Sequence, residues 1–402
     1  LLPLNFSAKV VSQGQQRQGK VEFLGVLRPA RETADGTPRE LHVYAAAEEL
    51  LAYSSLTPGQ PLWRHALEDP LDAESAAAFA AGRLVYASRA GLTCLDEQGE
   101  VRWTRALDEG PPATVREGDG VLLTLSRGTL RAFDSLLGLP LWQHALGASG
   151  NWSGPLLGAG HAVVFSQLHA MPPRALVLDL FRGRITADIR LSGFDSRVSL
   201  AESAWIAEER LILPAFLVRP SQLSAFALAD GRRAWSYDFG RDEEFHAVAR
   251  SEGRSFAITL ATALGTAAGN GGVYEIDERS GSLRRIVPLK PGEQVMGLEP
   301  QRTRSLDAPY LFTYTSTDEP SVPVRAIHLP FGVQWSWTLG LSSQELYLSR
   351  YLPLPAVSAE CVAIAYQTRR QRPGPGNESA VVFLDKRSGK KLDMLSLGGG
   401  LE

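Results

Sequence analysis

Cysteine, methionine and asparagine are scarce in this chain, at two, three and four residues out of 402. Cys94 and Cys361 stand far apart, in the apolar runs LTCLD and AECVAIAY, where a thiol packs as a small hydrophobe. A disulfide-dense framework is therefore excluded, and no Cys or His spacing suits a zinc site. Long hydrophobic runs are missing as well. No stretch approaches the roughly 18 apolar residues of a membrane-spanning helix. Nor is there an excess of charge: 41 Lys and Arg against 44 Asp and Glu leave a net charge of -3. A broad phosphate-binding surface needs a basic surplus, so nucleic acid is not an expected partner.

Catalytic signatures are equally sparse. The sequence holds no G-x-S-x-G elbow and no P-loop, and the glycines at 265, 269, 271 and 272 read as a flexible loop. His65 and His144 each fall two residues after a Trp in a repeated phrase, which ties them to the repeat rather than to a metal, and His161, His169, His246 and His328 are isolated. No metal site and no cofactor are expected. N-x-S/T triplets begin at Asn5, Asn151 and Asn377 and matter only in a glycosylating pathway. The chain opens at Leu1 without a signal peptide or lipid-acceptor Cys, which reads as a processed or trimmed start, and 398–402 reads as a tail or cloning scar.

What is present is a repeat. LTPGQPLWRHAL, DEQGEVRWTRAL and SLLGLPLWQHAL each place a Trp four residues after a Gly, at Gly59/Trp63, Gly99/Trp103 and Gly138/Trp142. ADGRRAWSYDF supplies a fourth copy at Gly231/Trp235. Weaker copies carry Gly183, Gly281, Gly332 and Gly389, with Ala187, Arg285 and Asp393 in three Trp slots and Trp335 and Trp337 straddling the other. Eight turns result, 39 to 57 residues apart, each flanked by short apolar and β-branched runs such as RLVYAS and GLTCLD. Units of about 40 residues with no room for a long helix favour radial closure into a propeller.

The phrase resembles the quinoprotein (PQQ-type) propeller repeat, in which a strand leads through a Gly turn to a Trp. TLRAFDSLLGLPLW, LSAFALADGRRAW and AVVFLDKRSGKKL carry the likeness, which runs over roughly residues 40 to 397. It implies an all-β fold, a single eight-bladed β-propeller of four-stranded antiparallel blades. The blades are expected at about 19–67, 74–107, 112–146, 153–191, 196–240, 244–290, 293–340 and 350–397, with an extra strand within 1–18. By the same resemblance Trp63, Trp103, Trp142, Trp235 and Trp335 dock against the next repeat.

Spacing between turns grows along the chain, and the extra residues gather in 166–174, 216–222, 261–272, 314–323 and 367–379. These loops are expected between second and third strands, on one rim, where a rigid scaffold carries binding specificity. Arg369, Arg370 and Arg372 beside Pro373 and Pro375 are candidates for gripping carboxylates or phosphates. Asp242, Glu243 and Glu244 form an acidic counterpart, expected in a loop between blades five and six.

The best-known owners of the repeat are quinone-dependent dehydrogenases, which resemble one another in adjacent cysteines over the cofactor and a Glu, Asn and Asp set around calcium. This chain has no adjacent cysteines, and the repeat alone carries no chemistry. The resemblance extends to periplasmic assembly scaffolds, and it implies a non-catalytic propeller, exported from a bacterial cell, that binds a protein partner through its loop-rich face. A sensor or small-molecule-binding domain of a larger protein is the alternative, followed by a degenerate PQQ-dependent dehydrogenase.

Overall fold

The computed structural model describes residues 11–12, 15–16, 21–27, 41–46, 48–54, 60–68, 71, 77–80, 82–108, 110, 112, 114–147, 151–167, 172–192, 194, 200–215, 221–240, 242–251, 253–261, 271–290, 292–295, 305–307, 310–315, 322–329, 331–339, 346–347, 356–357, 360–368 and 378–396. Strand follows strand through eight antiparallel meanders, the blades of an eight-bladed β-propeller. The single helix among the described residues is the four-residue Leu200–Ser203.

The chain divides into two compact units. In the first, sheet one joins Val21–Leu27, Leu41–Ala46, Glu49–Ser54 and Trp63–Ala66, and sheet two Ala77–Ala80, Arg83–Ser88, Gly91–Leu95 and Val101–Arg105. Sheet three holds Thr114–Gly118, Val121–Ser126, Thr129–Asp134 and Pro140–Ala145; sheet four holds Asn151–Gly158, His161–Gln167, Arg174–Asp179 and Ile185–Arg190. The turn Leu228–Gly231 clusters with this unit.

In the second unit, sheet five joins Trp205–Ala207, Arg210–Ala215, Gln222–Ala227 and Arg233–Asp238. Sheet six is Glu243–Ser251, Arg254–Ala261, Gly271–Ile276 and Leu283–Leu289, and sheet seven Glu293–Val295, Tyr310–Thr315, Val322–His328 and Gly332–Leu339. Sheet eight is Leu346–Tyr347, Cys361–Thr368, Glu378–Asp385 and Lys391–Ser396.

Two sheets exceed the expected four strands. Ser305–Asp307 adds in parallel to Glu243–Ser251, and Ala356–Val357 pairs with Cys361–Thr368. Both additions come from the longest turn-to-turn intervals, where spare chain can reach a free strand edge. At the N-terminus, Val11–Ser12 pairs with Gln15–Gln16.

The core is a series of apolar layers between consecutive sheets. The second and third strands supply most of it: Val121–Ser126 is buried at all six positions, because both faces of such a strand meet a neighbouring sheet. Leu50, Leu84 and Leu95 pack between sheets one and two, and Leu123, Leu130, Val164 and Leu178 between three and four. In the second unit Ile258, Val273 and Leu311 lie between six and seven, and Phe312, Trp335 and Val382 between seven and eight. Cys94 is a buried free thiol, and burial pushes its pKa up to about 11.

His246 sits at the bulge between Phe245 and Ala247, with Nε2 buried and unpartnered. Desolvation lowers its pKa to about 4 from 6.5. The folded chain therefore keeps this imidazole neutral while the unfolded chain protonates below about 6.5, so stability is lost as pH falls from 6.5 towards 4. The full linkage is roughly 3 kcal/mol. His65, also depressed by burial, acts in the same direction. Urea denaturation at pH 7 and 4.5 should show His246→Gln losing roughly 2 kcal/mol less than the parent on acidification. Equal losses would mean that His246 titrates normally in the fold.

Candidate interaction surface

Each blade ends in a turn between its third and fourth strands, and one chemical device builds five of these turns. Oδ1 of Asp134 accepts the N–H groups of Leu136 and Leu137; Asp179 does the same for Phe181 and Arg182. Asp96, Asp277 and Asp385 make the equivalent bonds to Gln98 and Glu100, Arg279 and Ser280, and Arg387 and Ser388. The aspartate satisfies the backbone by itself. The side chains carried at the tip are therefore free to be chosen for something else.

The turns are clamped to the preceding blade. A Cβ built on Gly99, Gly138, Gly183, Gly281 or Gly389 would fall within 2.7 Å of Trp63, Trp103, Trp142, Trp235 or Trp335 respectively. Each indole thus lies flat on the next blade's turn glycine. Four of them also donate Nε1 to a turn carbonyl: Trp63 to Glu97, Trp142 to Leu180, Trp235 to Glu278 and Trp335 to Lys386, at 2.8–3.0 Å. Trp103 Nε1 has no acceptor. There Arg83 donates to Leu136 O at 2.5 Å and Arg105 to Gly138 O at 3.0 Å.

A one-residue bulge stands just before the Trp slot at residues 102, 141, 186, 234, 334 and 392, and at 102, 141, 234 and 334 it sets a ring against the next blade's glycine. Where Ala187 stands for Trp, Ile189 fills the space against Gly231 and Thr186 Oγ1 donates to Leu228 O at 3.1 Å. Sheet six departs from the sequence alignment. Its bulge comes later, at Ile286, so Arg285 turns back to Gly271 O and the Tyr274 ring, and Val287 is the residue facing Gly332. A shift of the bulge exchanges the two faces of the strand, which spacing from a glycine does not reveal.

Within this common frame the turn tips of blades three and four carry Leu136, Leu137 and Phe181, and that of blade seven Phe331, where blades two, six and eight carry Gln98, Arg279, Ser280, Arg387 and Ser388. Leu137 and Phe181 are 56% and 55% exposed, and Leu139, Leu141 and Ile185 are exposed as well. Trp142, on the strand that carries Leu141, binds the turn that carries Phe181. Clusters of exposed apolar side chains are a general mark of interaction sites.

The residues singled out by sequence fall elsewhere. Arg369, Arg370 and Arg372 lie outside the described residues, as do Gly59 and most of the five long loops, whose flanking strands are the second and third of sheets four to eight. Of the acidic run, Asp242 is in a turn, but Glu243 and Glu244 belong to the first strand of sheet six rather than to a loop. Glu243 receives the Tyr274 hydroxyl at 2.8 Å and Thr259 Oγ1 at 3.3 Å, while Glu244 is exposed. Burial and then that carboxylate raise the Tyr274 pKa well above the usual phenol value. The three carboxylates do not converge: among the described residues no three His, Cys, Asp or Glu could hold a metal ion. No helix among them is long and apolar enough to cross a membrane. In sequence the apolar turn tips look like the other leucines of the repeat, and burial alone sets them apart.

Eight antiparallel meanders, with a Trp clamped on the following turn at five of them, define a repeat propeller. The family profile of outer membrane protein assembly factor BamB matches residues 47–187. Among solved structures, a eukaryotic initiation factor superposes with a TM-score of 0.54 at 9% identity, covering 92% of this chain and 90% of that one. AztD from Citrobacter koseri gives 0.50 at 13% identity, with 90% and 95% covered. BamB from Moraxella catarrhalis gives 0.45 at 14% identity, with 87% and 96% covered. No curated protein sequence matches the chain.

Proposed function

We propose that this chain is a non-catalytic propeller scaffold that holds a protein partner against the turns of its third and fourth blades. The observation carrying this reading is the apolar set Leu136, Leu137 and Phe181, exposed at turn tips whose geometry is equally served by polar residues in three other blades. Clamping by Trp103 and Trp142 fixes both tips, so docking orders little additional chain. An extracytoplasmic location goes with the reading, since the profile matching residues 47–187 is that of an outer membrane assembly factor.

Site-specific photo-crosslinking in the native host tests it. A benzophenone side chain at position 137 is expected to capture a discrete protein. The same group at Ser280, the corresponding position of blade six, is expected to capture none. Leu137→Asp with Phe181→Asp should weaken the captured complex more than tenfold, because desolvated apolar anchors dominate interface energetics. Equal labelling at 137 and 280 would sink the assignment.

A further inference from the structure

A surface in the second unit has a different chemistry, and its argument is independent of the partner docking above. The turn of sheet eight reads Asp385-Lys386-Arg387-Ser388-Gly389-Lys390-Lys391. Asp385 is engaged by the turn, its Oδ1 accepting from the N–H groups of Arg387 and Ser388. Arg387, Lys390 and Lys391 are exposed. Trp335 covers Gly389 and donates to Lys386 O at 2.8 Å, which pins the cationic turn to sheet seven.

From there a ladder of rings runs outward. The Lys386 ammonium lies 5.2 Å over the Tyr310 ring. Tyr310 stacks on His328 at 4.6 Å, and His328 contacts Phe331 at 5.1 Å. Phe331 ends the ladder at a turn tip, 74% exposed. On the strand that follows the cationic turn, Leu392 and Met394 are exposed as well. The surface is thus a few protruding apolar side chains set among closely spaced cations.

Three of those four cations are lysines, hydrated point charges that demand no paired geometry, whereas recognition of a particular carboxylate favours the fixed fork of arginine. Protruding apolar groups among point charges match a negatively charged bilayer: cations gain from its surface potential while aromatic and aliphatic side chains enter the headgroup boundary. We infer that this surface holds the chain against an anionic lipid bilayer, with Phe331 and Leu392 entering the interface and Arg387, Lys390 and Lys391 over the headgroups. The contact is peripheral and reversible, and salt weakens it.

Co-sedimentation of the intact chain with vesicles tests the inference, using phosphatidylcholine alone and phosphatidylcholine mixed with phosphatidylglycerol. Partitioning onto the anionic vesicles is expected to be at least about tenfold stronger and to fall as salt rises. Lys390→Glu with Lys391→Glu should reduce it about tenfold or more, and Phe331→Ser several-fold, with melting temperatures unchanged because these side chains are exposed. In a Phe331→Trp variant, brominated acyl chains should quench the added fluorescence. Equal binding to both vesicle types, indifference to the charge reversals, or no quenching at position 331 would each overturn it. The charge reversals leave blades three and four untouched, so crosslinking at position 137 reports on the partner separately.

Discussion

Arg325→Ala is expected to destabilise the second unit by about 3–5 kcal/mol, the typical cost of stranding one member of a buried ion pair. Glu293 opens the first strand of sheet seven with its side chain 0% exposed, and Arg325, on the third strand, is 12% exposed. One guanidinium nitrogen reaches both carboxylate oxygens, at 2.6 and 2.9 Å. The Lys290 N–H donates at 2.7 Å, and the Thr313 hydroxyl completes the set. Every partner of this carboxylate is supplied by the protein, so removing the guanidinium leaves a charge that water does not reach. Glu293→Gln combined with Arg325→Met removes both charges and should recover most of the loss. Urea denaturation of the parent and the two variants measures it. A cost for Arg325→Ala below about 1 kcal/mol would be that of a solvated pair and would contradict this account.

Gly183→Ala should cost about 2–5 kcal/mol in the first unit. Its φ of +66° lies in the left-handed region, where a side chain costs roughly 1–2 kcal/mol. The new methyl would also fall 2.4 Å from Trp142 Cδ2, and pushing a packed ring aside adds about 1–3 kcal/mol. Trp142→Phe keeps much of the ring but leaves Leu180 O without its donor, which costs around 1 kcal/mol beyond the lost area. Trp103→Phe should be milder, since its Nε1 has no acceptor to lose. Denaturant midpoints should therefore fall in the order Gly183→Ala, Trp142→Phe, Trp103→Phe. Equal effects for the two Trp variants would show that the indole hydrogen bond adds nothing to the clamp.

The blades were legible because the repeat writes the same physical problem eight times. A Gly must stand where the preceding blade's indole lies flat, so Gly99, Gly138, Gly183, Gly281 and Gly389 mark their turns without reference to tertiary structure. Where the pattern faded, its replacements were not legible. Thr186 donating to Leu228 O serves in place of an indole donor, and Val287 takes the role that spacing assigned to Arg285. Both depend on which residue bulges, a choice made by packing across sheets.

The interaction surface shows the same division. Sequence singled out charged runs, and of the run at 242–244 two residues belong to a strand, with Glu243 bonded to Tyr274 and Thr259 inside its own blade. Leu136, Leu137 and Phe181 looked like ordinary apolar residues of a repeat rich in leucine, and only burial separates them from Leu130 or Leu178, which have no exposure at all. By itself, then, the sequence determined the strand meanders, the turn glycines, their Trp partners and the repeat class, because those follow from local backbone constraints repeated along the chain. Tertiary structure alone decided which apolar residues remain outside the core, which charges are paired beneath the surface, and how the rings from Lys386 to Phe331 line up. Each of those depends on contacts between strands distant in sequence, whose register is set by packing.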